Sequence, residues 1–122
     1  MARSKTVLKA LTDATKGLLF PSESDAPFEA FVWPAGSVDA ASLLVQIGLP
    51  AKTPIEVLTL TELVRSIPTS VRGSFLPLAA TLVDHLSEVK AFKVGSMKLA
   101  VYIIGITEDG NRAGVKAEAI ET

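Results

Sequence analysis

The chain contains no cysteine and a single histidine, His85, among its 122 residues. Without cysteine it can form neither a disulfide framework nor a thiolate metal site. One histidine cannot build a multi-histidine zinc site, and it leaves one candidate base for a Ser-His-Asp triad. These absences exclude disulfide-stapled folds and zinc sites built from thiolates or from several histidines.

The sequence also lacks a long apolar run and an excess of charge of either sign. No apolar stretch reaches the roughly 18 residues of a membrane-spanning helix, and the apolar core of a secretory signal is missing. Twelve Lys and Arg residues stand against 13 Asp and Glu residues, without the basic stripe typical of direct nucleic-acid binders. We therefore expect a cytoplasmic protein with no cofactor, no membrane contact and no direct contact with nucleic acid.

The composition is that of a folded domain. Hydrophobic residues make up 48% of the chain and charged residues 20%, and this length is sufficient for one domain with its own core. The start, "MARSKTVLKALTDATKG", is basic and amphipathic, which is also typical of organelle transit peptides. Its apolar face continues directly into "LLF", which favours a first helix of the domain. We predict a single domain over residues 1–122.

Helical periodicity is present in "SKTVLKALTDATKG" and in "SVDAASLLVQIGLP". We expect Gly17 to end the first helix, Ser37 or Asp39 to cap the second, and Gly48 to end it. "LTELVRSIP" predicts one or two further turns, with Thr61 as the cap. The longest helix is predicted for "SFLPLAATLVDHLSEVKAF", whose apolar residues recur at helical spacing throughout.

Strands are predicted between and after these helices. "PFEAFVW" and "TPIEVLTL" are rich in aromatic and β-branched residues, and "GVKAEAIET" alternates between apolar and polar residues. The run Leu99–Ile106 is apolar on both faces, as in a central strand covered on each side. In "GITEDGNRAG" we expect a turn with Gly110 or Asn111 at positive φ, because the glycine spacing does not match a dinucleotide-binding loop. Interleaved helices and strands indicate a layered α/β domain.

A catalytic site has little support in the sequence. His85 has Asp84 beside it and Glu88 three residues later, where a continuous helix would place Glu88 on the same face. Acidic neighbours of a helical histidine are common, and no nucleophile elbow surrounds Ser22 or Ser24. We therefore expect that the protein is not an enzyme, with catalysis through His85 kept as an alternative.

One connecting segment carries more carboxylates than a connector needs. "GLLFPSESDAPFEAFVW" has a polar loop between two core-forming stretches, and the loop contains Ser22, Glu23, Ser24 and Asp25. A solvated turn whose side chains cap nearby amides is the structural alternative. We interpret the loop as part of a surface that contacts another macromolecule.

The end of the sequence has similar chemistry. "AEAIET" keeps its alternation up to Ile120, which argues against a frayed tail. A last strand paired almost to its end would hold the Thr122 hydroxyl, the α-carboxylate and Glu121 in fixed positions. Such hard oxygen donors are groups that Mg²⁺ accepts in place of water or a phosphate oxygen.

The segments "GLLFPSESDAPFEAFVW" and "FKVGSMKLAVYIIGITEDGNRAGVKAEAIET" resemble the two signature segments of the nuclease A inhibitor family. The resemblance covers Gly17–Gly36 and Phe92–Thr122, and the opening helix loosely. It implies a single-domain, three-layer α/β/α sandwich with a mixed sheet. It also implies that the protein inhibits a Mg²⁺-dependent, sugar-non-specific DNA/RNA nuclease by blocking the active site.

The resemblance further implies roles for residues that are present in this chain. Glu23, in the "SES" loop with Ser22, Ser24 and Asp25 around it, would pair with an active-site arginine of the nuclease. Thr122, next to Glu121, would reach the catalytic Mg²⁺ of the partner. One inhibitor would bind one nuclease, and the protein would hold no metal of its own.

The central region departs from the family pattern. "RSIPTSVRGSFLPLAA" is short, contains Arg65 and Arg72, and has neither an acid nor a tryptophan, and the chain has a net charge of only −1. Association with a basic nuclease groove would therefore have less electrostatic steering. The alternative is a non-catalytic protein-interaction module of the same fold with a partner that is not a nuclease.

Overall fold

The computed structural model describes residues 4–20, 26–95 and 98–120. Its helices are α1 (Ser4–Ala14), α2 (Ala40–Ile47), α3 (Leu60–Ser66), the single turn α4 (Thr69–Arg72), a 3₁₀ turn (Gly73–Phe75) and α5 (Leu76–His85). Its strands are β1 (Leu19–Phe20), β2 (Ala26–Pro27), β3 (Glu29–Trp33), β4 (Ile55–Leu58), β5 (Ser87–Val94), β6 (Lys98–Ile106) and β7 (Arg112–Ile120).

Five of these strands form one sheet in the order β3-β7-β6-β5-β4, and β1 and β2 form a separate hairpin. Every neighbouring pair in the larger sheet is antiparallel, so the prediction of a mixed sheet is wrong. The connections that follow β5 and β6 are too short for the crossover that a parallel pair requires. The described part of the chain is therefore an α+β fold.

Apolar side chains cover both faces of the larger sheet. On the first face, which contains Ile103, the cluster includes Leu11 of α1 and Leu82 of α5. On the second face, which contains Tyr102, a smaller cluster includes Leu43 of α2. Residues 101–105 of β6 are all buried, which confirms the prediction of a central strand covered on each side. Since α2 is the one described helix with buried residues in the second cluster, the three-layer sandwich stays a prediction.

Local capping sets the ends of two helices. Of the two predicted caps, Ser37 and Asp39, it is the Asp39 side chain that accepts a backbone N–H from the first turn of α2, and Gly48 ends that helix at φ 76 as predicted. The cap of α3 is Thr59, so the prediction of Thr61 is wrong. The Thr59 hydroxyl accepts the N–H of Glu62, and the Glu62 carboxylate accepts the N–H of Thr59. This capping box satisfies two N–H groups that a start at Thr61 would leave free.

The prediction of one long helix from Ser74 to Phe92 is wrong in its second half. α5 ends at His85, and the chain continues as β5 between β4 and β6. Glu88 adopts φ 52 at an irregularity in the pairing of β5 with β6, which breaks the helical period. The strand gains hydrogen-bonding partners on both sides from residues distant in sequence, and local periodicity does not reveal them.

A carboxylate from the β6–β7 turn holds the start of α1. Asp109 accepts hydrogen bonds from the Ser4 N–H at 3.3 Å, from the Ser4 hydroxyl at 2.8 Å and from the Thr107 hydroxyl. A carboxylate at a helix N-terminus satisfies a free N–H group and interacts favourably with the helix dipole. The bond from Thr107, followed by those from Ser4, lowers the pKa of the Asp109 carboxyl below its ordinary value.

We expect Asp109→Asn to lower the free energy of unfolding at neutral pH, and this loss to disappear in acid. The pKa of Asp109 is lower in the folded state, so its carboxylate stabilises the fold above the unfolded-state pKa. That contribution is lost as the pH falls through the folded-state pKa. Urea unfolding of both proteins between about pH 7 and pH 2 measures the difference. Asp84→Asn, at an exposed position on α5, is the control, and a difference for Asp109→Asn that does not change with pH would contradict the assignment.

Candidate protein-interaction site

The partner-binding residues predicted from the sequence lie outside the described residues. They are Ser22, Glu23, Ser24, Asp25, Glu121 and Thr122. The adjoining described residues, Phe20 and Ala26 for segment 21–25 and Ile120 for segment 121–122, define where each segment leaves the fold. The positions of Phe20, Ala26 and Ile120, to which the two segments are attached, therefore define where the candidate site lies.

A short hairpin carries the first segment. Leu19–Phe20 pairs antiparallel with Ala26–Pro27, so residues 21–25 connect the two strands. Directly outside the hairpin, Leu18 and Phe28 are buried in the first-face cluster. Burial of a side chain of this size stabilises by about 1.5–3 kcal/mol relative to full exposure. The base of the hairpin is therefore anchored to the core on both sides.

The last strand of the sheet carries the second segment. β7 pairs with β6 from Arg112, opposite Ile106, to Ile120, opposite Lys98. Val115, in the middle of the strand, is fully buried. The backbone is thus held in the sheet up to Ile120, as the alternation in the sequence predicted.

The two segments leave the fold at the same end of the sheet, which we call the Ile120 end. β3 runs antiparallel to β7 and begins with Glu29 opposite Lys116, so the chain that enters β3 comes from the direction of Ile120. β2 contacts β7, as this register requires. From Lys116 to Ile120 the strand extends about 14 Å. Ala26 and Ile120 therefore lie beyond the same end of the β3–β7 pair.

Charged side chains lie on the second face of the sheet near the Ile120 end. Glu29 and Glu118 are exposed there, with Lys116 opposite Glu29 on the neighbouring strand. Opposite charges at facing positions of two strands attract each other. Burial, and to a smaller degree the Glu118 carboxylate, raises the pKa of the Tyr102 hydroxyl. Two carboxylates of described residues thus accompany the two segments at this end.

The alternative of catalysis through His85 gains no support from the described residues. His85 is the last residue of α5 and Glu88 lies in β5, so the prediction that they share a helix face is wrong. Asp84 lines a groove between α3 and α5 to which His85 does not contribute. In residues 4–20, 26–95 and 98–120, no group of three or more His, Cys, Asp or Glu could hold a metal ion. None of the helices in these ranges is long and apolar enough to span a membrane.

Arg112 is a buried cation that the sequence pattern assigns only to a turn. It begins β7 opposite Trp33, and only 7% of its surface is exposed. Strand alternation puts it in phase with Lys116 and Glu118, the polar positions of β7, so the sequence gives no cue to its burial. Charged residues are rarely buried to this extent, so Arg112 is a functional candidate that the sequence did not indicate.

These features define a class of small α+β proteins in which a hairpin and the last strand of an antiparallel sheet present two chain segments at one end. The family model of the nuclease A inhibitor-like protein matches residues 5–122, nearly the whole chain. The chain therefore belongs to the nuclease A inhibitor-like family, which confirms the resemblance of its two segments. Membership supports an inhibitor-like role with a protein partner. A search of curated proteins finds no match.

Proposed function

We propose that this protein inhibits a Mg²⁺-dependent, sugar-non-specific nuclease by covering its active site. The observation that carries the proposal is that both segments extend from the same end of the sheet. The hairpin that bears residues 21–25 and the strand that precedes residues 121–122 both leave the fold at the Ile120 end. One catalytic cleft can engage both segments only if they start close together. Family membership is the independent support.

The acidic loop competes with the nucleic-acid backbone in this proposal. A nuclease that cuts any sequence must bind phosphates through arginine, lysine and a metal ion. Glu23 pairs with an active-site arginine, and Ser22, Ser24 and Asp25 surround the contact. Close charge pairs across a desolvated interface have coupling energies of about 1.5–7 kcal/mol. A single glutamate can therefore supply a large share of the affinity.

The end of the chain acts on the metal ion of the partner. The Thr122 hydroxyl, the α-carboxylate and the Glu121 carboxylate are hard oxygen ligands of the kind Mg²⁺ binds. An oxygen that occupies a coordination position displaces the water that hydrolysis requires. Because β7 is paired up to Ile120, the strand that carries these donors need not be ordered when they bind.

Plasmid digestion by nucleases of the ββα-metal type tests this function. We expect cleavage to fall linearly with added protein and to stop near one inhibitor per enzyme. Additional Mg²⁺ should not restore cleavage, because the inhibitor blocks the site and does not remove the metal from solution. A metal-independent ribonuclease is the control and should remain active. Full cleavage at a tenfold molar excess over every ββα-metal nuclease assayed would contradict the proposal.

One surface feature favours the alternative of an interaction module with a different partner. α3 and α5 enclose a groove of about 410 Å³ lined by Leu60, Thr61, Val64, Arg65, Ala79, Ala80, Val83 and Asp84. Val83 is 62% exposed there, and exposed apolar patches often mark interaction sites. A partner that binds this groove and leaves the Ile120 end free would not affect digestion by any nuclease.

A further inference from the structure

We propose that Arg112 belongs to an anion-binding site between α2 and the turn after β3, which takes a small ligand with a carboxylate or phosphate group. β7 has nine residues, so Arg112 and the Ile120 end are about 27 Å apart along the strand. The site is therefore separate from the surface proposed for the nuclease. The proposal of an anion-binding site does not depend on the inhibitor function.

The guanidinium of Arg112 is held by neutral groups. Its Nε donates to the Pro34 carbonyl at 3.0 Å, and its Nη2 donates to the Gln46 side-chain oxygen at 2.8 Å. Its Cζ lies 5.6 Å from the centre of the Trp33 ring. No carboxylate of a described residue lies within 4.0 Å of it. The positive charge thus has hydrogen bonds and a ring face but no counter-ion among the residues described.

Burial of a charge without a counter-ion is unfavourable, and buried arginines are normally paired with carboxylates or phosphates. Part of the guanidinium of Arg112 remains available for such a pair. Among the described residues Nη1 has no hydrogen-bond partner, whereas every fully buried side-chain nitrogen of these residues has one. Nη1 therefore retains contact with solvent, and its two N–H groups can donate to an oxyanion in the planar geometry that arginine favours.

A groove adjoins the guanidinium and is large enough for a small ligand. It measures about 310 Å³, at the lower end of the range for small-molecule sites, and Arg112 lines it together with Gly36, Ala41, Ser42, Val45 and Gln46. A Cβ on Gly36 would lie 2.8 Å from Cζ of Arg112, so glycine allows the turn to approach the cation closely.

The walls of the groove suit a ligand with one anionic and one apolar part. Ser42, in the first turn of α2, adds a hydroxyl beside the partial positive charge of a helix N-terminus. Asp39, which caps this helix, accepts the Ser42 N–H at 2.8 Å and is not within ion-pair distance of Arg112. Val45 is 81% exposed and offers an apolar surface for the carbon skeleton of a small organic acid or phosphate ester.

Titration with phosphate and with acetate, each at constant ionic strength in sodium chloride, tests the site. The Nε–Hε resonance of Arg112 in ¹H–¹⁵N spectra is the readout. We expect a saturable shift with at least one of the two anions, and the anion that saturates identifies the ligand class as phosphate or carboxylate. Shifts that rise linearly with both anions, or no shift with either, would overturn the proposal.

Gln46→Glu provides the matched variant, because it places a carboxylate where the Gln46 oxygen already accepts from Nη2 of Arg112. We expect it to supply the missing counter-ion, to weaken the binding of the anion at least tenfold and to raise the melting temperature. Ala80→Glu adds the same charge on α5, against the other face of the sheet, and should bind the anion like the wild type. Equal affinities in the wild type and in Gln46→Glu would also overturn the proposal.

Discussion

Gly114→Ala is expected to lower the free energy of unfolding by about 3 kcal/mol or more, at the upper end of what overpacking costs. A Cβ at Gly114 would lie 1.8 Å from the Ile103 carbonyl oxygen and 3.0 Å from Cα of Ile104. These are backbone atoms of the central strand β6, which cannot move without breaking the pairing of β6 with β7. On the other side, Gly114 pairs with Phe31 of β3. The alanine methyl therefore overlaps the backbone of β6, and a shift of β7 that relieved the overlap would also disturb its pairing with β3.

Urea denaturation of the variant and the wild type measures this loss directly. Gly73→Ala is the matched control, since a Cβ there meets nothing within 4 Å and the backbone is helical with φ −57. At such a position alanine is expected to change stability by less than about 1 kcal/mol, and in the stabilising direction. A Gly114→Ala protein as stable as Gly73→Ala would show that the close approach of β6 and β7 at this point is not a feature of the fold.

Loss of the Glu23 carboxylate, or extension of the chain beyond Thr122, is expected to weaken nuclease inhibition at least tenfold, equivalent to about 1.4 kcal/mol. Glu23→Ala would leave the arginine of the nuclease buried without its partner, which costs more than the loss of an exposed pair. A C-terminal extension would replace the α-carboxylate with a peptide group and place chain where the metal ion must approach. Inhibition constants from the plasmid assay provide the measurement.

Glu56→Ala is the control for charge in this experiment. Glu56 is an exposed glutamate on β4, at the edge of the sheet opposite β3, so its removal lowers the negative charge equally without touching the Ile120 end. We expect it to inhibit like the wild type. If Glu23→Ala and the extended chain also inhibit like the wild type, the proposed contacts with the arginine and the metal ion are wrong.

Elements whose start and stop are encoded locally were predictable from the sequence. The cap at Asp39 and the left-handed glycine at Gly48 define α2 within a few residues. The β6–β7 hairpin was equally predictable from the sequence, because its turn needs a residue with positive φ and Gly110 provides it at φ 88. In both cases the determining interactions lie within about five residues along the chain.

Elements that depend on distant partners were not predictable in the same way. The residues of β5 fit a helical period as well as a strand, and the choice is made by pairing with β4 and β6. The direction of β3 in the sheet is likewise set by its pairing with β7, 79 to 87 residues away in sequence. Sequence patterns describe which residues are buried, but not which strand lies beside which.

The two candidate sites also differ in whether the local sequence reveals them. The acidic loop was identified because its composition is unusual for a connector and resembles that of a known family. Arg112 was not identified, because its environment is assembled from Pro34 and Gln46, which are 78 and 66 residues away along the chain. A lone arginine after a turn is an ordinary surface residue in sequence, and only its tertiary contacts distinguish it.

Whether one nuclease cleft engages both segments is tested most directly by mapping backbone amide shifts in a 1:1 complex with a catalytically inactive ββα-metal nuclease. We expect the shifts to cluster at the Ile120 end, in the β1–β2 hairpin and at the paired ends of β6 and β7 around Lys98 and Ile120. We expect little change at Arg112 or in the α3–α5 groove. Shifts centred on Val64 and Val83 of that groove, with the Ile120 end unchanged, would contradict the proposed mode of inhibition.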